Sequence, residues 1–217
     1  MPSQHRLSDI LSVFVYGTYA ILLGNIVFHI VVTHIAEHNL LALFLLAVTP
    51  LCGYILADFV SGLVHFLGDT IGNELTPFFG KRFIFPFREH HTDQTAITRH
   101  SFWYTNGLNC LVSLPIMIAM YHGWKITGTS SLWSQYIFLT LYFLVIGVFF
   151  TNQIHKWAHQ NNPNAAIRTL QNSGLILTPS RHKLHHTSPF DSHFCITTGW
   201  LNPVLEYIGI FRLLRKR

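Results

Sequence analysis

The chain has 217 residues, of which 50% are apolar and only 11% are Asp, Glu, Lys or Arg, against roughly 25% in an ordinary soluble domain, so a simple soluble enzyme is excluded. The net charge of +5 reflects nine acids rather than a wealth of bases, which argues against nucleic acid as a partner. Cys52, Cys110 and Cys195 stand too far apart for a disulfide framework or a zinc ribbon.

Read in chain order, the apolar residues gather into stretches of the length a bilayer crossing needs, about 20 residues. The first covers about 10–33; it is too long for a secretory leader and has no small-residue cleavage site. The second, about 40–67, contains one acid, Asp58, and leads into His65 and Asp69. The third, about 107–121, is short and carries Pro115, and the fourth, about 132–151, is dense in Phe, Leu, Tyr and Val. The expected fold is an all-α integral membrane protein forming one domain over 1–217. It has about four transmembrane helices, with interfacial helices in the ligand-bearing segments 65–102 and 152–217. If the N-terminus is cytoplasmic, thirteen of the fourteen Lys and Arg fall on that side and only Lys125 outside, a strong positive-inside bias.

The chain has fifteen histidines, and this topology sorts them. His29, His34, His38 and His122 fall at the outer ends of spans and His5 on the tail, where they read as interfacial or solvated. The other ten, His193 among them, lie at or beyond the cytoplasmic surface. His65 and Asp69 are four apart, as are His155 and His159, so each pair shares a helical face. His182, His185 and His186 offer i, i+3 and i+4, while His90 and His91 are adjacent with His100 nine residues on. Neutral imidazole binds iron, zinc and copper well. Nine histidines and a carboxylate are too many for one ion and suit two. A zinc-protease reading of HKWAH fails, because Lys156 stands where that chemistry needs Glu. Haem ligation would leave HKLHH without a purpose. Asp58, an acid inside a span, is expected to be functional, orienting a ligating imidazole by accepting its second N–H; a structural, hydrogen-bonded Asp is the alternative.

A histidine cluster at the cytoplasmic face of a membrane bundle points to dioxygen chemistry on iron. Removing hydrogen from an unactivated alkyl carbon is work that enzymes delegate to such a cofactor. The runs ADFVSGLVHFLGDT (57–70), PFREHHTDQTAITRHSF (86–102), TNQIHKWAH (151–159) and FCITTGWLNPVLEYIG (194–209), with RHKLHH and SP at 181–189, closely resemble the plasmanylethanolamine desaturase, or Kua, family of lipid desaturase domain proteins. The resemblance implies O2-dependent desaturation of the 1-O-alkyl chain of an ether phospholipid to the vinyl ether of a plasmalogen, at two Fe ions forming a di-iron centre. Electrons would come from a cytochrome b5 type donor, and the membrane would be the endoplasmic reticulum or a bacterial inner membrane. It assigns metal ligation to His65, Asp69, His90, His91, His100, His155, His159, His182, His185 and His186, and demotes His193, since family members can carry Tyr there. The family usually has Pro where this chain has Gln94, and the wider acyl-CoA desaturase pattern would place His at Phe87. Asp69 and Asp58 are the candidate catalytic acids. Arg88 and Arg99, flanking His90 and His91, are the candidate anchors for the lipid phosphate, generic positive-inside anchoring being the alternative. Competing expectations are a desaturase or hydroxylase acting on an acyl chain of another phospholipid, and a non-enzymatic membrane protein that binds metal or haem.

Overall fold

The computed structural model describes residues 7–128 and 131–215; His5, Arg6, Lys216 and Arg217 lie outside the described residues. All regular structure among the described residues is helical. Helix α1 (Leu7–Ala36) buries Tyr16, Leu23 and Ile30, seven residues apart and therefore on one stripe. Leu11, Phe14, Ile21 and Phe28 remain exposed on its other faces, the apolar exterior of a helix that lipid solvates.

The second apolar stretch is split at Val48 into α2 (Leu40–Ala47) and α3 (Thr49–Thr70). Pro50 is the cause: it lacks a backbone donor but fits the first turn of a new helix. The Thr49 hydroxyl donates to the Leu46 carbonyl at 2.7 Å and satisfies part of the break. A π-helical turn (Gly80–Ile84) and α4 (Phe85–Thr92) follow, then a 3-10 turn (Ala96–Arg99) and α5 (Phe102–Thr127). Ser101 caps α5 by accepting from the Tyr104 N–H. Beyond α6 (Leu132–Ala158) come four short helices, α7 (Ala165–Asn172), α8 (Pro179–His185), α9 (Asn202–Ile208) and α10 (Ile210–Arg215).

Three stretches are long and apolar enough to cross a membrane: α1, Leu40–Thr70 and α6. Helix α5 extends at both ends beyond the 107–121 expected from hydropathy, starting at the Ser101 cap and running on past Met120 to exposed Lys125, and buried amides interrupt its apolar pattern. Asn106 is fully buried, the Asn109 side-chain amide donates to the Val148 carbonyl at 2.8 Å, and that of Asn152 donates to Asn109 Oδ1 at 3.0 Å. Such groups weaken an apolar pattern without opposing a helix that has partners.

Small residues set how closely the long helices approach. On α3, Gly53, Ala57 and Ser61 recur every four residues; a Cβ on Gly53 would fall 2.6 Å from Phe143 Cβ of α6, and one on Gly147 2.5 Å from Ala57 Cβ. This is the small-residue packing by which helices associate where water supplies no driving force. It brings the C-terminal ends of α3 and α6 side by side, and those ends carry histidines.

Candidate metal centre

Four helices converge their imidazoles on one volume. His65 and Asp69 lie in the last two turns of α3, His90 and His91 in the last turn of α4, His155 in the last turn of α6 with His159 as its cap, and His182, His185 and His186 at the end of α8. Thr178 caps α8 by accepting from the Arg181 N–H, and Pro179 occupies its first turn. Helix α4 is pressed onto α3 where Gly68 leaves room for the ring of Phe87, 2.9 Å from where a Cβ would be. Phe87, the position at which the wider desaturase pattern would place a histidine, is thus a packing residue 5.0 Å from His65.

The ring nitrogens form two groups, His90, His155, His159, His182 and His186 in one and His65, His90, His91 and His185 in the other, each with its ligand atoms within 4.8 Å of one another. In the first, Nε2 of His182 lies 2.9 Å from that of His155, 2.8 Å from that of His159 and 2.9 Å from that of His186. A neutral imidazole has a single N–H, so His182 can satisfy at most one of these approaches as donor. Mutually facing lone pairs account for the rest, and a cation among them removes the conflict.

The second group makes the same case through its tautomers. His65 Nδ1 donates to the Phe194 carbonyl at 3.1 Å and His185 Nδ1 to the Ser192 carbonyl at 2.8 Å. A carbonyl only accepts, so both rings carry a proton on Nδ1, and as neutral ligands they present the Nε2 lone pair. Those two lone pairs confront Asp69, whose Oδ2 lies 3.5 Å from His65 Nε2 and 3.4 Å from His185 Nε2, while His91 Nε2 at 3.2 Å is placed to donate to it. Neutral rings so oriented repel a carboxylate, whereas a metal ion between them attracts all of them. His90 belongs to both groups, is 1% exposed, and has no hydrogen-bond partner at either ring nitrogen. The residues therefore fit a metal. Burial holds the His90 and His182 imidazoles well below the usual histidine range, His159 at about 4 and His186 at about 3. All four are neutral at pH 7, the form that ligates.

Beside the centre lies a cavity of about 60 Å³ reached by His90 and His155. It adjoins an apolar cavity of about 190 Å³ between α3, α5 and α6, with which it shares Phe83, Phe87, Leu108 and Asn152. Val60, Val64, Val112 and Val148 form much of the inner wall.

Several expected site residues stand elsewhere. His100 belongs to neither group: its backbone is extended beyond the 3-10 turn, its carbonyl accepts from Lys156 Nζ, and its ring packs on Tyr104 at 4.5 Å, on the wall of the smaller cavity. Asp58 touches no imidazole. Oδ1 accepts from the backbone N–H groups of Thr197, Thr198 and Gly199 and Oδ2 from that of Leu201, at 2.7 to 3.2 Å. It is a clamp on the chain after α8, which supplies the Ser192 and Phe194 carbonyls that orient His185 and His65. Those carbonyls escaped the sequence reading, since a backbone acceptor has no residue signature; the run FCITTGWLN containing Phe194 is its nearest trace. Arg88 Nη2 donates to the carbonyls of Ile71 and Gly72, and Arg99 pairs with Asp93 at 2.6 Å on the exposed surface. Neither lines the cavities. Arg82, which does line the smaller one, forms an ion pair with the buried Asp9 of α1.

Helices long and apolar enough to cross a membrane, with buried histidine clusters at one end, define a class, the membrane protein with clusters compatible with metal binding. The lipid desaturase domain matches residues 54–216, a span that contains every clustered histidine and most of the chain, and the protein belongs to that family. It is 44% identical over 173 residues to "Plasmanylethanolamine desaturase" of Myxococcus xanthus, covering 77% of this chain and 58% of that relative. It is 45% identical over 192 residues to "Plasmanylethanolamine desaturase 1" of Mus musculus, covering 82% of this chain and 69% of the relative. "Fatty acid desaturase 4, chloroplastic" of Arabidopsis thaliana is 31% identical over 180 residues, 77% of this chain and 50% of the relative. No solved structure matches.

Proposed function

We propose that the protein is an O2-dependent lipid desaturase that introduces the vinyl ether double bond into the 1-O-alkyl chain of plasmanylethanolamine. The observation that carries this reading is a pair of buried imidazole groups from which His90 and His155 border a small cavity that adjoins an apolar one; the names of the bacterial and mouse relatives support the choice of lipid. The metals would be two irons, one held by His155, His159, His182 and His186, the other by His65, Asp69, His91 and His185, with His90 within reach of both. When bound, iron supplies the removal of hydrogen from unactivated alkyl carbons, with O2 as oxidant. The balance is one O2, two electrons and two protons in, and two waters out, as the alkyl chain loses two hydrogens.

The chain's own residues position the substrate. The double bond forms between the first two alkyl carbons, directly below the glycerol, so these carbons must reach the His90 and His155 wall while the rest of the tail lies among Val64, Val112 and Val148 of the apolar cavity. Phe83 and Phe87, common to both cavities, hold the chain at the passage between them. The Asp58 clamp fixes the carbonyls that keep His65 and His185 in one tautomer. In the membrane, α5 would be the fourth span and the centre would face the cytoplasm, within reach of a cytochrome b5 type donor; the membrane would be the endoplasmic reticulum or a bacterial inner membrane.

Cells that lack vinyl ether lipid, supplied with this chain, are expected to regain it by lipid mass spectrometry, and the purified protein to hold about two irons. A new acyl double bond without vinyl ether would transfer the reading to the chemistry named for the Arabidopsis relative. A Soret band from the purified protein would overturn it.

A further inference from the structure

The imidazole clusters are approached from two sides by spaces that share no wall residue. On the bundle side is the pair of cavities containing Phe87, Leu108 and Val112, which reaches His90 and His155. On the other side is a cleft of about 320 Å³ bordered by Gln94, Thr95, Gln160, Asn161, Lys183 and Thr187, which reaches His159, His182 and His186. The partition between them is the cluster itself: His155 faces the first space and His159, with its Nε2 only 3.2 Å from that of His155, faces the second.

The two walls suit different traffic. The larger bundle-side cavity, walled mainly by valine, leucine, isoleucine and phenylalanine, accepts an alkyl chain and disfavours water and ions, since a polar species there has few groups to replace its hydration; the smaller one adds Arg82, Thr105 and Asn152 only next to the imidazoles, where a lipid's polar end would lie. Glutamine, asparagine, threonine and lysine keep water ordered and let charge approach the imidazole edges. We propose that the metal centre has two doors, one for the lipid through the apolar cavities and one for water-soluble reagents, the electron donor's reach and the protons and water of the reaction, through the polar cleft. The proposal deepens the metal-centre reading and rests on it. It gives a physical reason for the separation: a lipid that fills the apolar side leaves the centre open to reduction from the other.

The test uses the full chain in nanodiscs, loaded with iron, with two readouts: the rate at which a sulfonated, membrane-impermeant chelator removes the iron, and binding of a radiolabelled 1-O-alkyl phospholipid. Gln94→Trp and Thr187→Trp, both at exposed positions on the cleft rim, are expected to slow chelation by about tenfold, the effect of roughly 1.4 kcal/mol on the exit barrier, with lipid binding unchanged. Val112→Trp is expected to weaken lipid binding about tenfold and leave the chelation rate as it was. Chelation unaffected by both rim variants, or slowed equally by Val112→Trp, would overturn the two-door arrangement while the iron stayed in place. A chain that takes up no iron would instead overturn the metal-centre reading beneath it.

Discussion

His90 is the residue on which the two ligand groups depend jointly. Its ring is enclosed by His65, His91, His155 and His186 at centroid distances of 4.5 to 5.5 Å, and neither nitrogen has a protein partner. Replacing it with alanine is expected to deplete both sites, whereas His186→Ala removes a ligand from one; by metal analysis the first should retain almost no iron and the second about half. Equal losses would mean that His90 serves a single ion. Asp58 presents the opposite situation, a carboxylate with all its partners in the backbone of one turn. Asp58→Asn keeps the shape but removes the charge and turns an amide N–H toward backbone N–H groups. Loss of about 3 kcal/mol is expected, read as a lower Tm, together with weaker iron retention, because the loop that orients His65 and His185 is released. Unchanged metal affinity in the destabilised variant would confine Asp58 to a structural role.

At the scale of elements, the centre exists because α3 and α6 are held in contact along Gly53, Ala57 and Gly147. Gly147→Ala is expected to destabilise the bundle by about 1–3 kcal/mol, as overpacking does, and to lower iron content, since His65 and His155 sit at the ends of the helices it forces apart. Ala57→Gly added to it should restore much of both, because the colliding Cβ is removed; a double variant no better than the single one would show that this contact does not set the helix spacing. The same elements show what could be read in advance. The His65–Asp69 pair on α3 and the His155–His159 pair at the end of α6 were legible because a helix places i and i+4 on one face, and the α8 triplet for the same reason. His100 was not: it follows a 3-10 turn in extended backbone, where a separation of nine residues from His91 says nothing about direction. For Asp58 the hydrogen-bonded structural role stood as the alternative, but its partners were hidden by distance, lying 139 to 143 residues further along the chain. The split at Val48 was announced by Pro50, but hydropathy sums across it.

For the molecule as a whole, gathering so many neutral imidazoles in a dry volume makes stability depend on pH, and the sign follows from the burial of those outside the spans. His159 is held at about 4 and His186 at about 3, with His90 and His182 also pushed down, while in the unfolded chain all four return to about 6.5. Between these values the unfolded state binds more protons, so unfolding free energy rises with pH in that window. Stability is complete above about pH 6.5 and is lost as the pH falls toward 4, with each histidine adding at most about 1.4 kcal/mol per pH unit. Metal strengthens the dependence in the same direction, because it binds only the deprotonated rings of the folded state. Thermal unfolding of chelator-treated protein between pH 7.5 and 5 is therefore expected to show a flat Tm down to about 6.5 and a steep fall below it, and restored iron to raise Tm across the range while the fall still begins near 6.5. A Tm that held level to pH 5 without metal would mean that water already reaches the rings and protonates them at little cost, and the lone-pair confrontation around Asp69 would then be relieved by protons rather than by a metal ion.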